Sequence, residues 1–231
     1  MPAARPGRVG PSRLRVWEAG AMSNLLTLEG RSVQLLPMEV DHVDALLDAA
    51  TRDRASFGFA PIPWDRASMT DYVQAALDRR RTGEHLPFVT FSVPLQRIVG
   101  STRFYDLATW DWGPVGPAGA SRQRHGRPDV ASIGYTWLEP LAQRSPVNTE
   151  AKLLMMNHAF EQWQVWAVRI QTDARNRRSR AAIERLGLDL DGVLRAEKPG
   201  ADGTVRDSAV YSMLAGDWPA HRKRLEERMA R

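Results

Sequence analysis

The residues best suited to chemistry lie in a polar loop between a strand-like run and a helix-like run. The loop spans residues 142–149 and carries Gln143, Arg144, Asn148 and Thr149. The first N–H groups of a helix have no partner within the helix, and the helix dipole makes this end positive. Such an entrance suits a pyrophosphate. An ordinary strand-to-helix loop capped by Thr149 or Asn148 explains the spacing equally well.

The segment around this loop predicts the order strand, loop, helix, strand, helix. Residues 131–138 alternate as in a strand, and Pro140 follows them. A helix from about Asn148 to Trp163 has a broad apolar face. Residues 167–172 predict a second strand. Asp173 and Asn176 then begin a helix that Gly187 ends.

This segment resembles the GCN5-related N-acetyltransferases, in the branch that includes the ribosomal-protein N-terminal acetyltransferases. Residues 137–161 look like that family's strand, pyrophosphate loop and helix. Residues 172–188 look like its second coenzyme A segment, Asn-x-x-Ser-x-x-Ala-x-x-x-x-Gly-Φ, where Φ is apolar. The usual Gln/Arg-x-x-Gly-x-Gly/Ala loop is here Gln143-Arg144-Ser145-Pro146-Val147-Asn148, which lacks the glycines that allow close approach to a phosphate. The resemblance is weaker over residues 28–218 and does not cover residues 1–21.

The resemblance implies a mixed α/β (α+β) fold. We expect a central, twisted, mostly antiparallel sheet of about seven strands flanked by helices. A splayed strand pair in that sheet is expected to bind coenzyme A. Residues 22–231 are expected to form a single N-acetyltransferase domain. Residues 1–21 are expected to be a disordered extension, with Met22 an alternative start.

The implied activity is direct transfer of an acetyl group from acetyl-coenzyme A to a primary amine. The acceptor is either a protein N-terminus or a small molecule. The resemblance assigns the coenzyme phosphates to the loop, largely through backbone N–H groups. The full coenzyme-binding set is Leu138, Gln143, Arg144, Val147, Asn148, Thr149, Asn176, Ser179 and Arg185.

The implied catalytic set is smaller. The backbone N–H near Leu138 is the expected donor to the thioester oxygen, and Asn176 is expected to bond the pantetheine arm or a water molecule. Many members carry a tyrosine as thiolate acid where this chain has Ile183, so Ser179 takes that role by resemblance. Glu197 is the first candidate for the base. The rivals are Glu84, Asp106 and Glu139.

The remainder of the chain predicts further elements around the core segment. Strands are expected at 26–36, 86–94, 97–107, 188–197 and 205–214, and helices at 39–51, 68–82 and 217–231. The expected cap of the second helix is Ser68. Asp202-Gly203 favours a hairpin. Phe57, Phe59 and Trp64 are candidate acceptor contacts, although packing in the core or at a hinge is the commoner role for each. Trp110 and Trp112 are candidates to cover a cleft. His125 is a candidate catalytic residue, although a lone loop histidine is more often only solvated.

Composition excludes several classes of protein. The 231 residues include no cysteine, so there is no disulfide framework and no acyl-cysteine intermediate. No apolar run approaches the ~20 residues of a membrane span, and a cytoplasmic location is expected. The five histidines are too scattered to predict a metal site. Members of the resembling family often form homodimers. A homodimer is therefore expected here from the resemblance alone, since no residue of the sequence indicates one.

Two other functional classes remain open. A non-catalytic acyl-coenzyme-A-binding sensor of the same fold is favoured slightly by the Pro146 loop and by the missing tyrosine. A nucleic-acid-binding role would use the basic N-terminal tail. Residues 1–21 hold four arginines and one glutamate, and the whole chain has a net charge of +5. Basic residues elsewhere alternate with acidic ones, so nucleic acid is the less favoured partner.

Overall fold

The structure is a computed structural model that describes residues 26–110 and 127–230, apart from the side chains at 55 and 56. The expectations for residues 1–21, Met22, Trp112 and His125 lie outside the described residues. Within the described parts the strands are β1 Leu28–Glu29, β2 Val33–Pro37, β3 Leu86–Ser92, β4 Arg97–Ala108, β5 Val130–Leu138, β6 Ala167–Asp173, β7 Asp189–Pro199 and β8 Val205–Leu214. The α-helices are α1 Val43–Thr51, α2 Arg66–Arg81, α3 Pro146–Asn157, α4 Arg177–Arg185 and α5 Trp218–Met229.

The strands of the described chain form one sheet in the order β1-β2-β3-β4-β5-β6-β8-β7. The β5–β6 pair is parallel and the other neighbouring pairs are antiparallel. The expected α/β fold with a mostly antiparallel sheet is confirmed. The sheet has eight strands because the predicted strand 26–36 is a hairpin, and the Glu150 carboxylate holds its turn by accepting from the Arg31 and Ser32 N–H groups at 2.8 and 2.6 Å.

Strand alternation divides the core between the two faces of the sheet. Helices α1 and α2 cover one face, where Val89 and Trp137 join their apolar residues. Helices α3, α4 and α5 contribute to the core of the other face, together with Phe88, Phe104 and Ile133. We call the first face the α2 face and the second the α3 face. Successive residues of a strand therefore lie on different faces.

Two predicted helix starts are wrong by a few residues. Helix α2 begins at Arg66, and its cap is Asp65, whose carboxylate accepts from the Ser68 N–H at 2.7 Å. Ser68 lies at the third helical position and completes the capping box. Helix α3 begins at Pro146, and its cap is Ser145. Proline is favoured at the first helical position because its missing N–H is not needed there.

The C-terminal half follows the prediction closely. Strands β7 and β8 form the expected antiparallel hairpin, and Gly203 in its turn has a φ of 77°. Helix α4 follows the predicted Asn176, and Gly187 after it has a φ of 93°. In the described part of the chain no helix is long and apolar enough to cross a membrane.

Candidate active site

Strands β5 and β6 separate soon after they begin. Their parallel ladder joins Val130 to Ala167, Ala131 to Val168 and Ser132 to Arg169, and it continues no further in the described structure. The rest of each strand leads to a helix entrance, α3 after β5 and α4 after β6. Arg178 Nη1 in α4 donates to Gln143 Oε1 at 3.1 Å, so the two entrances lie side by side. The strands therefore form a wedge with two helix N-termini at its mouth.

A β-bulge in β5 produces the separation. Tyr135 has a φ of 51°, and the β4–β5 register shifts at this point, between Ser101 and Arg103. An extra residue on one strand bends that strand and increases its twist. Gly100 lies opposite Leu138, and a Cβ there would be 1.9 Å from the Trp137 carbonyl oxygen. The close packing of β4 against bent β5 therefore requires glycine at position 100.

The Leu138 N–H points away from β4 into the wedge. The Glu139 N–H donates to the Val99 carbonyl at 2.7 Å, which makes Gly100 and Leu138 a non-hydrogen-bonded pair of the antiparallel ladder. The main-chain groups of such a pair point outward from both strands. The Leu138 carbonyl accepts from Gln143 Nε2 at 2.8 Å. The N–H is thus placed where the resemblance expects a backbone donor, although the role itself stays a prediction.

The backbone N–H groups in the first turn of α3 differ in whether the protein itself provides them with an acceptor. Ser145 Oγ accepts from the Val147 N–H at 3.3 Å, and Pro146 has no N–H to offer. The carbonyl of a cap residue accepts the first intrahelical bond, so the Thr149 N–H is used by the helix itself. The Asn148 N–H is the donor of the first turn left over by this arrangement. The expectation that Asn148 or Thr149 caps the helix is wrong, because the helix starts two residues before Asn148.

Some side chains of the loop before α3 already have hydrogen-bond partners within the protein. Both ends of the Gln143 amide are bonded, to the Leu138 carbonyl and to Arg178, so Gln143 connects the loop to the end of β5 and to the first turn of α4. Arg144 is exposed and adopts a φ of 58°, a left-handed conformation that turns the chain into the helix.

The entrance of α4 places Asn176 and Ser179 one turn apart. Asn176 Oδ1 caps the helix by accepting from the Ser179 N–H at 3.0 Å. Its amide NH₂ group is left for other partners. Arg185 lies in the last turn, about 12 Å along the helix axis from Arg177, and its carbonyl accepts from Arg228. The structure therefore separates Arg185 from the other expected coenzyme contacts.

The candidate bases have different surroundings. Glu139 is fully buried and pairs with Arg97 at 2.6 Å and with Arg52 at 3.1 Å, which is a structural role. Glu84 pairs with Arg79. Burial alone raises the pKa of Glu197, but hydrogen bonds from Ser208 and Lys198 outweigh it, and the net shift is downward. The remaining candidate is Asp106.

The pKa of Asp106 shifts in the opposite direction to that of Glu197. Burial raises the pKa of Asp106, Lys198 opposes this shift, and the charge of Glu197 adds to it. The two carboxylates therefore lie close enough to influence each other. A raised pKa strengthens a base, provided that it stays below the working pH.

A polar cluster on the α2 face was missed by sequence reasoning. Its centre is Arg103, whose Nη1 lies 3.4 Å from His85 Nδ1 and whose Cζ lies 4.0 Å from the Tyr135 ring centroid. Burial and the nearby Arg103 lower the pKa of His85 to about 4. Burial raises the pKa of Tyr105 to about 12, although Gln171 donates to its hydroxyl at 3.1 Å. The alternation of Ser101, Arg103 and Tyr105 in β4 was the available signal.

The expected aromatic contacts divide between core and surface. Phe57 is buried and packs edge-to-face against Trp137 with centroids 5.9 Å apart. Phe59 and Trp64 are exposed, and Trp110 is half-exposed. Trp110 also lines a cavity of about 450 Å³ with Trp166, Leu214, Ala215 and Gly216. Packing therefore explains Phe57, whereas the other three each present part of their rings at the surface.

A buried lysine lies on the opposite face of the bulge. Lys152 on α3 donates to the Thr102 and Thr136 hydroxyls at 3.0 and 2.6 Å. Desolvation by burial lowers its pKa from 10.5 to about 7. No carboxylate of the described chain forms an ion pair with it. No group of three or more potential metal-ligating side chains occurs among the described residues.

The chain belongs to the GNAT acetyltransferases, because the family model for the acetyltransferase (GNAT) domain matches residues 32–189. The comparison with curated proteins gives no significant match. A GCN5-related N-acetyltransferase from Brucella melitensis is 25% identical, with 87% of this chain and 84% of that chain covered and a TM-score of 0.72.

Two further solved structures are similar. A protein from T. thermophilus, described provisionally as an acetyltransferase, is 28% identical, with coverage of 87% of this chain and 96% of that chain and a TM-score of 0.69. Mycobacterium smegmatis RimJ, solved with CoA-disulfide, is 20% identical, with coverage of 88% and 94% and a TM-score of 0.68. At that identity the similarity shows the fold alone, so the narrower ribosomal-protein branch stays a prediction.

Proposed function

We propose that this GNAT protein transfers an acetyl group from acetyl-coenzyme A directly to a primary amine, either a protein N-terminal α-amine or a small-molecule amine. The observation that carries the proposal is the β5–β6 wedge, with the N-termini of α3 and α4 at its mouth. Open strand edges bind extended ligands through main-chain groups. Helix N-termini attract phosphates. The wedge thus fits the extended arm and the phosphates of coenzyme A.

The proposed phosphate contacts are the Asn148 N–H, the Arg144 side chain and the positive end of α3. Val147 and Thr149 contribute less than expected, since their N–H groups already have acceptors. Asn176 would contact the pantetheine arm with its amide NH₂ group, because Oδ1 is used as the helix cap. Gln143 would position the loop through its bonds to Leu138 and Arg178.

The thioester of the bound co-substrate supplies an activated acetyl group. The Leu138 N–H, aimed into the wedge, would donate a hydrogen bond to the oxygen on which negative charge develops. The Ser179 hydroxyl, one turn into α4, would donate to the leaving sulfur. Removal of a proton from the amine falls to Asp106 or Glu197, of which Asp106 has the raised pKa. An α-amine with a pKa near ~8 needs less help than a lysine near ~10.4.

The test is thiol release from acetyl-coenzyme A with a panel of amines, combined with calorimetry of coenzyme binding. We expect saturable binding and release of coenzyme A with at least one amine. Absence of both heat and a change in melting temperature at saturating acetyl-coenzyme A would refute the proposal. A cytoplasmic location and a homodimer remain predictions.

The second candidate is a non-catalytic sensor that binds acyl-coenzyme A. Pro146 favours it, because a proline at the first position of α3 removes one N–H donor from the phosphate site. Binding of acetyl-coenzyme A without thiol release across a wide amine panel would favour this candidate.

A further inference from the structure

Arg103 in β4 is a buried cation whose charge has no counter-ion among the described residues. Its residue is 4% exposed. Its Nε and Nη2 atoms are buried and have no hydrogen-bond partner, and its Nη1 has only the 3.4 Å contact to His85. Burial of a charge without a partner is unfavourable for folding. A natural explanation is that a ligand supplies the missing negative charge.

The two unpaired atoms indicate which kind of anion fits. Nε and Nη2 lie along one edge of the planar guanidinium, and two N–H groups on one edge match the two oxygens of a carboxylate. The ring centroids of Tyr135 and Tyr72 lie 4.0 and 5.0 Å from Cζ, so both rings make cation–π contacts with the guanidinium. Tyr135 is 51% exposed, so the cluster borders the protein surface through this ring.

The neighbouring groups do not already neutralise Arg103. His85 remains neutral, since burial and Arg103 lower its pKa to about 4. The carboxylate of Glu84, next to His85 in the chain, pairs with Arg79 instead. Tyr72 donates to or accepts from Ser101 at 2.7 Å. The cluster is therefore polar, aromatic and positively charged.

The position of Arg103 relates it to the proposed reaction. Arg103 pairs with Gly134, the residue before the bulge, and Gly100 pairs with Leu138. Arg103 lies three positions after Gly100, which is about 10 Å along β4. A short peptide with its N-terminal amine in the wedge and an acidic side chain on the α2 face spans such a distance.

We propose that the acceptor amine carries a carboxylate and that Arg103 binds this carboxylate. The proposal rests on the proposed acetyltransferase function and narrows its substrate class to peptides with an acidic residue near the N-terminus.

The experiment compares matched acceptors that differ only in a carboxylate. Thiol release from acetyl-coenzyme A is measured with Ser-Glu-amide against Ser-Gln-amide and with Ser-Asp-amide against Ser-Asn-amide. The wild type should use at least one acidic member with a kcat/KM about tenfold or more above that of its amide partner, the size of a lost charged hydrogen bond. Arg103→Met should abolish this preference, and Arg103→Lys should keep part of it. Arg222→Met is the matched control, because this half-exposed arginine of α5 pairs with Glu226, and the variant should behave as the wild type.

A second measurement separates this proposal from the proposed function. If no amine supports thiol release, the proposed function fails, and the anion site is then decided by calorimetry with glutarate. We expect glutarate to bind the wild type and Arg103→Lys, and not Arg103→Met. Equal use of acidic and amide acceptors by the wild type would overturn the proposal, as would equal glutarate binding by wild type and Arg103→Met.

Discussion

Substitution of Lys152 by methionine should change how the stability of this protein depends on pH. Lys152 is fully buried with two threonine hydroxyls as partners, and its pKa falls from 10.5 to about 7. A difference of this size between the unfolded and folded states corresponds to about 5 kcal/mol in the free energy of unfolding. Lys152 therefore lowers the free energy of unfolding at every pH at which this lysine is charged in the unfolded chain.

The sign follows from proton binding. Between the folded and unfolded pKa values, the unfolded chain binds more protons at this residue than the folded chain does. Stability should therefore rise as pH increases from about 7 towards about 10, with a slope approaching ~1.4 kcal/mol per pH unit from this residue alone. Below pH 7 both states bind the proton and the slope disappears.

Lys152→Met removes this dependence of stability on pH, and it also removes the two hydrogen bonds from Lys152 to the threonine hydroxyls. Each bond is worth about 1 kcal/mol, and Thr102 and Thr136 keep their mutual contact at 2.8 Å. The variant should be about 2 kcal/mol more stable than the wild type at pH 7, and less stable near pH 10. Urea unfolding followed by tryptophan fluorescence from pH 6 to pH 10 measures both curves. Lys223→Met on the exposed face of α5 is the control. Parallel curves for wild type and Lys152→Met would refute the reasoning.

Three further predictions concern the site and the hairpin. Asn176→Ala combined with Ser179→Ala should lower turnover tenfold or more, whereas loss of the helix cap costs only about 1 kcal/mol in urea unfolding; full activity would contradict the site. Asp106→Asn should remove the acidic limb of the plot of kcat/KM against pH, because burial raises the pKa of Asp106. Glu197→Gln should leave that limb in place, because hydrogen bonds from Ser208 and Lys198 lower the pKa of Glu197. The reverse pattern would reassign the base. Glu150→Ala should lower the free energy of unfolding by about 3 kcal/mol, since two partly buried N–H groups lose a charged acceptor; an unchanged urea midpoint would contradict this role.

The sequence predicted helix α4 well because its signals are local. Asn176 at the cap, Ser179 three residues later and Gly187 after the last turn each act within a few residues of the backbone they bond. The β7–β8 hairpin was predictable for the same reason, since Asp202-Gly203 suits a turn with a positive φ.

The predicted start of helix α3 was two residues too late, because the sequence offers good cap residues at two neighbouring places. Asn148 and Thr149 are good caps, but Ser145 followed by Pro146 is equally favourable and lies earlier in the chain. The strand predicted over 26–36 was divided because its turn is held by Glu150, which is more than a hundred residues away. No local pattern could reveal that contact.

The amino-acid sequence by itself determined the family, the order of strands and helices around residues 131–188, and the cap of α4 at Asn176. These depend on backbone preferences and hydrophobic periodicity within short windows. Only the tertiary structure decided that β5 leaves β6 after Ser132, that the Leu138 N–H faces the opening, and that Arg103 is buried without a counter-ion among the described residues. Strand separation and charge pairing depend on which distant residues come within a few ångströms of one another, and that is settled by packing across the sheet rather than by neighbours in the chain.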